Sequence, residues 1–402
     1  MNATLPTPDA LRAALAGLLD GLPPTKAAQA VDRLIASYRG ITPTDAPVLR
    51  DRADVAAYAA YRMPATFEAV RSALAALRGA SPAWRPATHT DVGGGTGAAS
   101  WAVAEAWGGE EYGETRDGTE PGGDGPGGDG PGGDGPGGDG PGGDGPGGEG
   151  RADTAGTDAD RLRQSPRSPQ TLPTLQALPT LQAPRTTVLD WAEPALALGR
   201  ELAAASGVPG LRAAQWRRAR IGGALTLDPV DLVTVSYVLK ELTEADRAAL
   251  VGAAARAAQA VVIVEPGTPD GYERIIAARD LLTGAGLRIA APCPHSAACP
   301  IEPGSDWCHF SARVSRSSLH RQVKGGSLAY EDEKFAYVAA VRFPAEPAAA
   351  RVTRRPQIRK GQVLLDLCTE GDGLRRDTVT KRHGGLYKEA RDAEWGDPWP
   401  PA

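Results

Sequence analysis

The chain has four cysteines, and three of them, Cys293, Cys299 and Cys308, fall within sixteen residues in APCPHSAACPIEPGSDWCHF, with Cys368 following in VLLDLCTEG. Thiolates act as nucleophiles, metal ligands or redox partners, so four with none to spare set the first expectation, a single four-thiolate centre. The N-terminus MNATLPTPDALRAALAGLLDGL lacks the basic n-region of a secretory signal and carries Asp9 ahead of its apolar stretch. A cytoplasmic protein is therefore expected, and in a reducing compartment clustered cysteines hold metal or do redox chemistry more often than they pair. Gaps of five, eight and fifty-nine residues match neither the C-x2-C knuckles of zinc ribbons nor the usual ferredoxin run. Residues 291 to 309 contain three prolines besides Pro292 and few large apolar side chains, so burial alone hardly fixes their shape and a metal could. Four thiolates suit zinc and an iron–sulfur cluster alike, and four separately packed thiols are the remaining reading. His295 and His309 are the other ligand-type side chains of the segment.

A second constellation sits upstream. THTDVGGGTGAASWAVAEAW places Asp91, Gly93, Gly95 and Gly97 in a D-x-G-x-G-x-G pattern that runs into an Ala-rich helix. Such glycines let backbone approach a ligand at a helix N-terminus, as in dinucleotide-binding and S-adenosylmethionine-binding folds. Three apolar strand-then-helix segments follow, starting TTVLDWAEP, DLVTVSYVLKEL and AQAVVIVEPGTPDGY, the rhythm of a doubly wound parallel sheet. Asp190 ends the first of these strands, where a carboxylate can accept from both ribose hydroxyls of an adenosyl ligand; a helix cap is its other reading. Ser236, Tyr237, Glu265 and Pro266 lie at the carboxyl ends of the later strands and are expected to line the pocket.

Before the glycine turn, residues 8 to 80 read as helices at 3.6-residue spacing, with Pro64 expected to split the last of them in two. Arg39, Tyr58 and Arg62 read as helix-surface salt-bridging positions, with nucleic-acid contact as the alternative. Residues 121 to 150 are six five-residue units, five PGGDG and one PGGEG, and two LPTLQA units follow. Glycine entropy, proline and like charge leave the stretch from 108 to 184 without a core, so a disordered insertion is expected. Calcium binding by its lone acids is a weaker reading.

The net charge of −5 conceals a division: residues 108 to 160 carry fourteen acids and two arginines, while residues 311 to 391 carry seventeen Lys and Arg against nine Asp and Glu. RVTRRPQIRKG and LRRDTVTKRHGGLYK, with Tyr387, Trp395 and Trp399 nearby, suit RNA, since basic side chains contact phosphates and aromatic rings stack on unpaired bases. No membrane span, no DNA partner and a monomer are expected. VAAVRFP, ARVTRRPQI and GQVLLDLCT read as short strands of a C-terminal β-barrel-like module carrying Cys368.

YAAYRMPATFEAV, DVGGGTGAASWA, VSYVLKEL, VEPGTPDGY, APCPHSAACP, DWCHFSARVSRSSLHR, EDEKFAYV and LLDLCTEGDGLRRDTVTKRHGGLYKEARDAEWGDPWP resemble, in order, the mitochondrial-type small-ribosomal-subunit methyltransferase-like family. The resemblance covers nearly everything outside the insert, and its most specific parts are the cysteine segment and the WGD tail. It implies a Rossmann-like class I methyltransferase fold, S-adenosylmethionine as cofactor, association with the small ribosomal subunit and 16S rRNA, and a 4Fe-4S cluster on Cys293, Cys299, Cys308 and Cys368, with zinc as runner-up. Three regions are expected: residues 1–82, helical; 83–290, the methyltransferase domain with its insert; and 291–402, a metal-binding basic module.

Methyl transfer also needs an oriented acceptor. SYVL stands where amino-methylating enzymes place an N-P-P-Y type of motif, and no cysteine lies in that turn, so Tyr237 and Glu265 are the candidate orienting groups. The expected function is an S-adenosylmethionine-dependent methyltransferase-like factor of the small ribosomal subunit, acting in ribosome assembly and translation, with methylation of 16S rRNA left open. The alternatives are a non-catalytic RNA-binding assembly protein with a degenerate cofactor pocket and a zinc-stapled small-molecule methyltransferase. Each doubling of loop length costs only about 0.6 kcal/mol in closure entropy. Deleting residues 121 to 150 is therefore expected to leave the thermal unfolding midpoint within a few degrees of the parent's; a large drop would contradict the linker reading.

Overall fold

The computed structural model describes residues 7–19, 52–108, 183–316 and 328–401, with the single positions 29 and 321. The second expected helix, residues 25 to 40, apart from Gln29, and the interior of the insert lie outside the described residues. Gly108 and Ala183 flank the insert as neighbours: a Cβ built on Gly108 would stand 3.4 Å from the Cβ of Ala183.

Two helices, α1 (Thr7–Leu19) and α2 (Arg52–Ala80), precede strand β1 (Thr88–Val92) and helix α3 (Ala98–Gly108). After the insert come β2 (Arg185–Asp190), α4 (Glu193–Ala205), the short α5 (Pro209–Arg212), β3 (Gln215–Arg218), β4 (Val230–Ser236), α6 (Glu244–Ala257), β5 (Ala258–Pro266), α7 (Pro269–Gly284) and β6 (Arg288–Ala291). Strands β7 (Phe310–Ser315) and β8 (Tyr330–Val341) complete one sheet of order β3-β2-β1-β4-β5-β8-β6, with β7 paired to β8. β1 to β5 are parallel, and β8 inserts antiparallel between β5 and β6. This is the class I methyltransferase-like α/β arrangement, with its topological switch between β1 and β4, where ligand crevices form.

The residue pattern explains the layers. In β5, Ala260, Val262 and Val264 face the core under α1 to α5, while Val261 and Ile263 face the core under α6 and α7. Side chains alternate across a strand, so a run apolar at every position can only be a strand covered on both sides.

Two expectations need correction. Pro64 does not split its segment: α2 runs unbroken through it. Proline inside a helix costs about 3 kcal/mol, whereas Met63 and Phe67, both at 2% exposure or less, are buried against the sheet, and each side chain returns about 1.5–3 kcal/mol. Packing wins. The second correction concerns VAAVRFP, whose VAAV belongs to β8 of the large sheet and not to the C-terminal module. A division at residue 290 would therefore cut that sheet.

The C-terminal module is a five-stranded antiparallel sheet of β9 (Ala350–Val352), β10 (Gln357–Arg359), β11 (Gln362–Thr369), β12 (Gly373–Thr380) and β13 (Pro398–Trp399), with helix α8 (Gly385–Asp392) between the last two. Along β11, Val363, Leu365 and Leu367 enter its small core with Trp399, which leaves Cys368 on the opposite face. Among the described residues no helix is long and apolar enough to cross a membrane.

Replacing Pro64 with alanine restores a donor for the Ala60 carbonyl and is expected to raise stability by about 1–3 kcal/mol in urea unfolding. A loss would mean that the proline ring itself contributes packing that alanine cannot replace.

Candidate cofactor cleft and cysteine centre

The glycine turn leaves β1 on a buried polar base. Asp91 is fully buried and accepts from the Ser100 N–H at 3.2 Å, the Ser100 hydroxyl at 2.9 Å and the Thr234 hydroxyl at 3.0 Å. Burial nevertheless raises its carboxyl to about 6, against those hydrogen bonds. His89, one reason the sequence reads as a poor strand, is 2.9 Å from Thr234 through Nε2 and 3.2 Å from Thr186 through Nδ1. Since the Thr234 hydroxyl donates to Asp91, its oxygen is free to accept from His89 Nε2–H, and a His89–Thr234–Asp91 relay ties β1 to β4. Asp91 thus braces the turn from within.

Of the turn's glycines, Gly93 and Gly97 are required by close packing: an added Cβ would stand 2.6 Å from Val238 and 2.6 Å from Trp216 respectively. Gly95 alone is open, with φ +54° and nothing nearer than Asp190 Oδ2 at 3.9 Å. Asp190 ends β2, accepting from Gly95 N–H at 2.9 Å and Ala192 N–H at 2.8 Å. Burial raises its pKa. Asp190 is not the N-cap of α4, which is Ala192; it ties the glycine turn to the turn after β2, with each oxygen accepting from one of these N–H groups. Glu241, not singled out by the sequence, is solvent-exposed on one side, but crowding on the other, then Asp190 and Glu265, raise its carboxyl to about 7. Ser236 and Pro266 are half-buried at the carboxyl ends of β4 and β5.

The two candidate orienting groups are already engaged. Glu265 is fully buried, paired with Arg274 at 2.7 Å and accepting from Leu239 N–H at 3.1 Å, which pins the turn after β4 to α7. Tyr237 adopts φ +60°, unique among the described non-glycine residues. Its hydroxyl donates to Glu333 at 3.0 Å, and Arg62 lies 5.2 Å from its ring centroid while bridging to Glu333 at 3.0 Å. Burial, then the Glu333 carboxylate, hold the phenol well above its ordinary pKa. Arg62 is thereby moved from the helix-surface role expected of it to a part-buried tie between α2, β4 and β8.

On the other side of β8, residues 292–309 leave β6 and return as β7, and Cys293, Cys299, Cys308 and Cys368 line one cavity. All four are free and half-buried. Burial and the neighbouring thiols raise Cys308 well above the ordinary thiol range and Cys368 to about 12. Donor type and shared cavity fit a metal centre; among the described residues, however, no group of three or more His, Cys, Asp or Glu side chains is gathered tightly enough to hold a metal ion. His295 Nε2 stands 3.8 Å from Cys368, and His309 stacks on Trp307 at 5.2 Å.

The segment is fastened at three points. Arg351 of β9 donates to Pro292 O at 2.9 Å and to Gly396 O at 2.9 Å. Trp307 Nε1–H donates to Gly267 O at 3.0 Å, next to the end of β5. Tyr272 of α7 is 3.2 Å from Cys299 Sγ. Spacing could have exposed this last element, because Tyr272, Ile275, Ile276 and Arg279 recur at i, i+3, i+4 and i+7 and all line the cavity.

Of the aromatic residues in the RNA expectation, one is taken up by the fold. Trp399 is buried in the C-terminal core, Tyr387 is half-buried against that core, and Trp395 is half-buried with its ring 4.6 Å from His309. Their spacing next to basic residues is equally that of a small core's anchors.

A family model described as mitochondrial small ribosomal subunit Rsm22 matches residues 52–117 and 176–400. The mitochondrial Rsm22-cox11 tandem protein 2 of Schizosaccharomyces pombe is 28% identical over 182 residues, 35% of this chain and 24% of that protein. The mitochondrial ribosome assembly protein METTL17 of Homo sapiens is 30% identical over 182 residues, 42% of this chain and 39% of that protein. The chain thus spans well under half the length of either relative. Magnesium protoporphyrin IX methyltransferase of Synechocystis, solved with bound SAM, is 13% identical, with 85% of this chain and 100% of that one covered at a TM-score of 0.36. These findings overturn the cytoplasmic expectation, since the family and the relatives are mitochondrial. That expectation rested on the missing secretory n-region and on Asp9, features that bear on a single export route.

Burial lowers His89 from 6.5 to about 3. Its folded pKa lies below the unfolded one, so the stability it allows is whole above pH 6.5 and falls as pH drops from 6.5 towards 3. Wild type is expected to lose about 2 kcal/mol more than His89→Gln between pH 7 and 5 in denaturant titrations. Parallel curves would exclude a neutral buried imidazole.

Proposed function

Because the chain belongs to the Rsm22 family of mitochondrial small ribosomal subunit proteins, we propose that it is an assembly factor of the small ribosomal subunit that binds ribosomal RNA and S-adenosylmethionine. The observation carrying this reading is that the family match takes in Asp91, Gly95 and Asp190 as well as all four cysteines. Gly95 is the open point of the turn and Asp190 the carboxylate beside it, which supports adenosyl binding there. Cys293, Cys299, Cys308 and Cys368 would hold a 4Fe-4S cluster, with zinc as runner-up. When bound, such a centre supplies four metal–thiolate bonds that cross-link residues 293–308 to β11. Helices α1 and α2 serve as a brace, the large sheet as the cofactor domain, and the C-terminal sheet as the RNA-contacting module.

The module's arginines divide into two sets. Arg375 pairs with Asp372 and Asp377, and Arg376 with Asp366. Arg355, Lys360, Lys381 and Arg382 are exposed and have no ion-pair partner among the described residues. The turn at Gly361 accepts from Lys381 N–H at 3.1 Å, which places Lys360 beside Lys381 and Arg382. This second set suits a phosphate backbone.

A binding role without methyl transfer is the second reading, favoured by the internal engagement of Tyr237 and Glu265. Incorporation of labelled methyl groups from S-adenosylmethionine into small-subunit RNA separates the two. Gly95→Asp abolishes incorporation if catalysis is real, because it places a carboxylate beside Asp190 in the open part of the turn. For the RNA reading, Lys381→Glu with Arg382→Glu is expected to reduce co-sedimentation with small-subunit particles and to lower the salt slope of RNA binding by about two. Arg375→Gln should change it little. Failure of the wild-type protein to bind small-subunit RNA would sink the proposal.

A further inference from the structure

The cavity shared by the four cysteines also contains two buried arginines. Arg279 is 2% and Arg351 5% exposed, and both line the cavity with Cys293. Arg279 donates to the carbonyls of His295 and Ala297, its carboxylate neighbour Asp280 is 3.5 Å away and 64% exposed, and its buried Nε has no partner. Arg351 donates to two carbonyls and has no carboxylate in ion-pair range among the described residues. Carbonyls satisfy N–H groups but do not neutralise charge. A guanidinium does not give up its proton in a protein, and a buried charge without a counter-charge is costly. Asp280 offsets Arg279 only in part, being 64% exposed, and Arg351 has no such partner among the described residues.

Charge balance identifies the missing anion. Four thiolates around a dipositive zinc ion, or around a 4Fe-4S core of charge two plus, leave a net charge of two minus. Two guanidiniums balance it. We propose that Arg279 and Arg351 are the resident counter-ions of a dianionic thiolate–metal centre, a role that rests on the metal reading given above. They hold the centre from two different elements, Arg279 from α7 and Arg351 from β9. On the same face of α7, two turns before Arg279, Tyr272 is placed to donate its hydroxyl to Cys299. Both arginines act through the sulfurs and the cavity walls, so they are positioning residues and not ligands.

The full chain, reconstituted anaerobically with ferric iron, a thiol reductant and sulfide and, separately, with zinc alone, tests this. Wild type, Arg279→Gln, Arg279→Lys, Arg351→Gln and Arg351→Lys would be compared for metal per chain, release to a chelator, and Tm with and without metal. The glutamine variants keep a donor but lose the charge. They are expected to release metal on the order of 10-fold faster, as outer-shell substitutions commonly do. The Tm gap between loaded and metal-free protein should narrow in these variants and recover in the lysine variants. With iron and sulfide, the glutamine variants should also show a more negative midpoint potential. A purely structural role would lower both Tm values together and leave the gap intact. An unchanged gap and release rate beside a fully loaded wild type overturn the counter-ion role and leave the metal reading standing. A wild type that takes up neither metal overturns both. Should one glutamine variant fail to fold, the other carries the same test.

Discussion

The antiparallel ladders that β8 makes along both its edges constrain nearly everything else. Phe335 to Val341 pair with β5, and on the opposite edge the strand is shared between β6 and β7. Those two short strands are the ends of the cysteine segment, so its departure and return points are set by one twelve-residue strand. The same strand delivers Glu333 to Tyr237 and Arg62, and its Lys334 carbonyl accepts from Gly267 N–H at 2.9 Å. Gly267 in turn receives Trp307 from the cysteine segment. The cofactor edge and the cysteine cavity are thus two consequences of one set of hydrogen bonds.

Buried polar groups form the second theme. Asp91, Asp190 and Glu265 all lie at the carboxyl edge of the sheet, and each accepts from backbone as well as from side chains or further backbone. Leaving such groups unpaired is far more costly than the modest net gain of pairing them. They therefore specify a single arrangement of the turns after β1, β2 and β4. Buried Asp91, with its relay to His89, explains why a strand with a poor apolar signal occupies the centre of the sheet.

Much of this was legible in the residues. The strand-helix rhythm from 185 onward, the glycine turn and the gathering of four distant cysteines followed from period, turn chemistry and count. Other features were set by tertiary context. Pro64 carries a strong local signal for a break, but burial of Met63 and Phe67 outweighs it. The strand VAAV has the same local character in either sheet, and only pairing with β5 assigns it. Tyr237 and Glu265 stand where an acceptor would be handled, yet their partners Glu333 and Arg274 come from positions that no spacing rule connects. Tyr387 and Trp399 read as stacking platforms until the small core they anchor is seen. In a module of this size, few other large apolar side chains are present to fill it.

The adjacency of Gly108 and Ala183 bears on how this gene can change over time. A stretch of chain that departs from and rejoins the fold at neighbouring points leaves α3 and β2 indifferent to its contour length. Tandem pentapeptide units are prone to gain and loss of copies during replication, and here every such event alters a length that the fold does not register. Copy number can therefore change, or a foreign domain can be accepted at the same junction, without altering the contacts that build the glycine turn and the cysteine cavity.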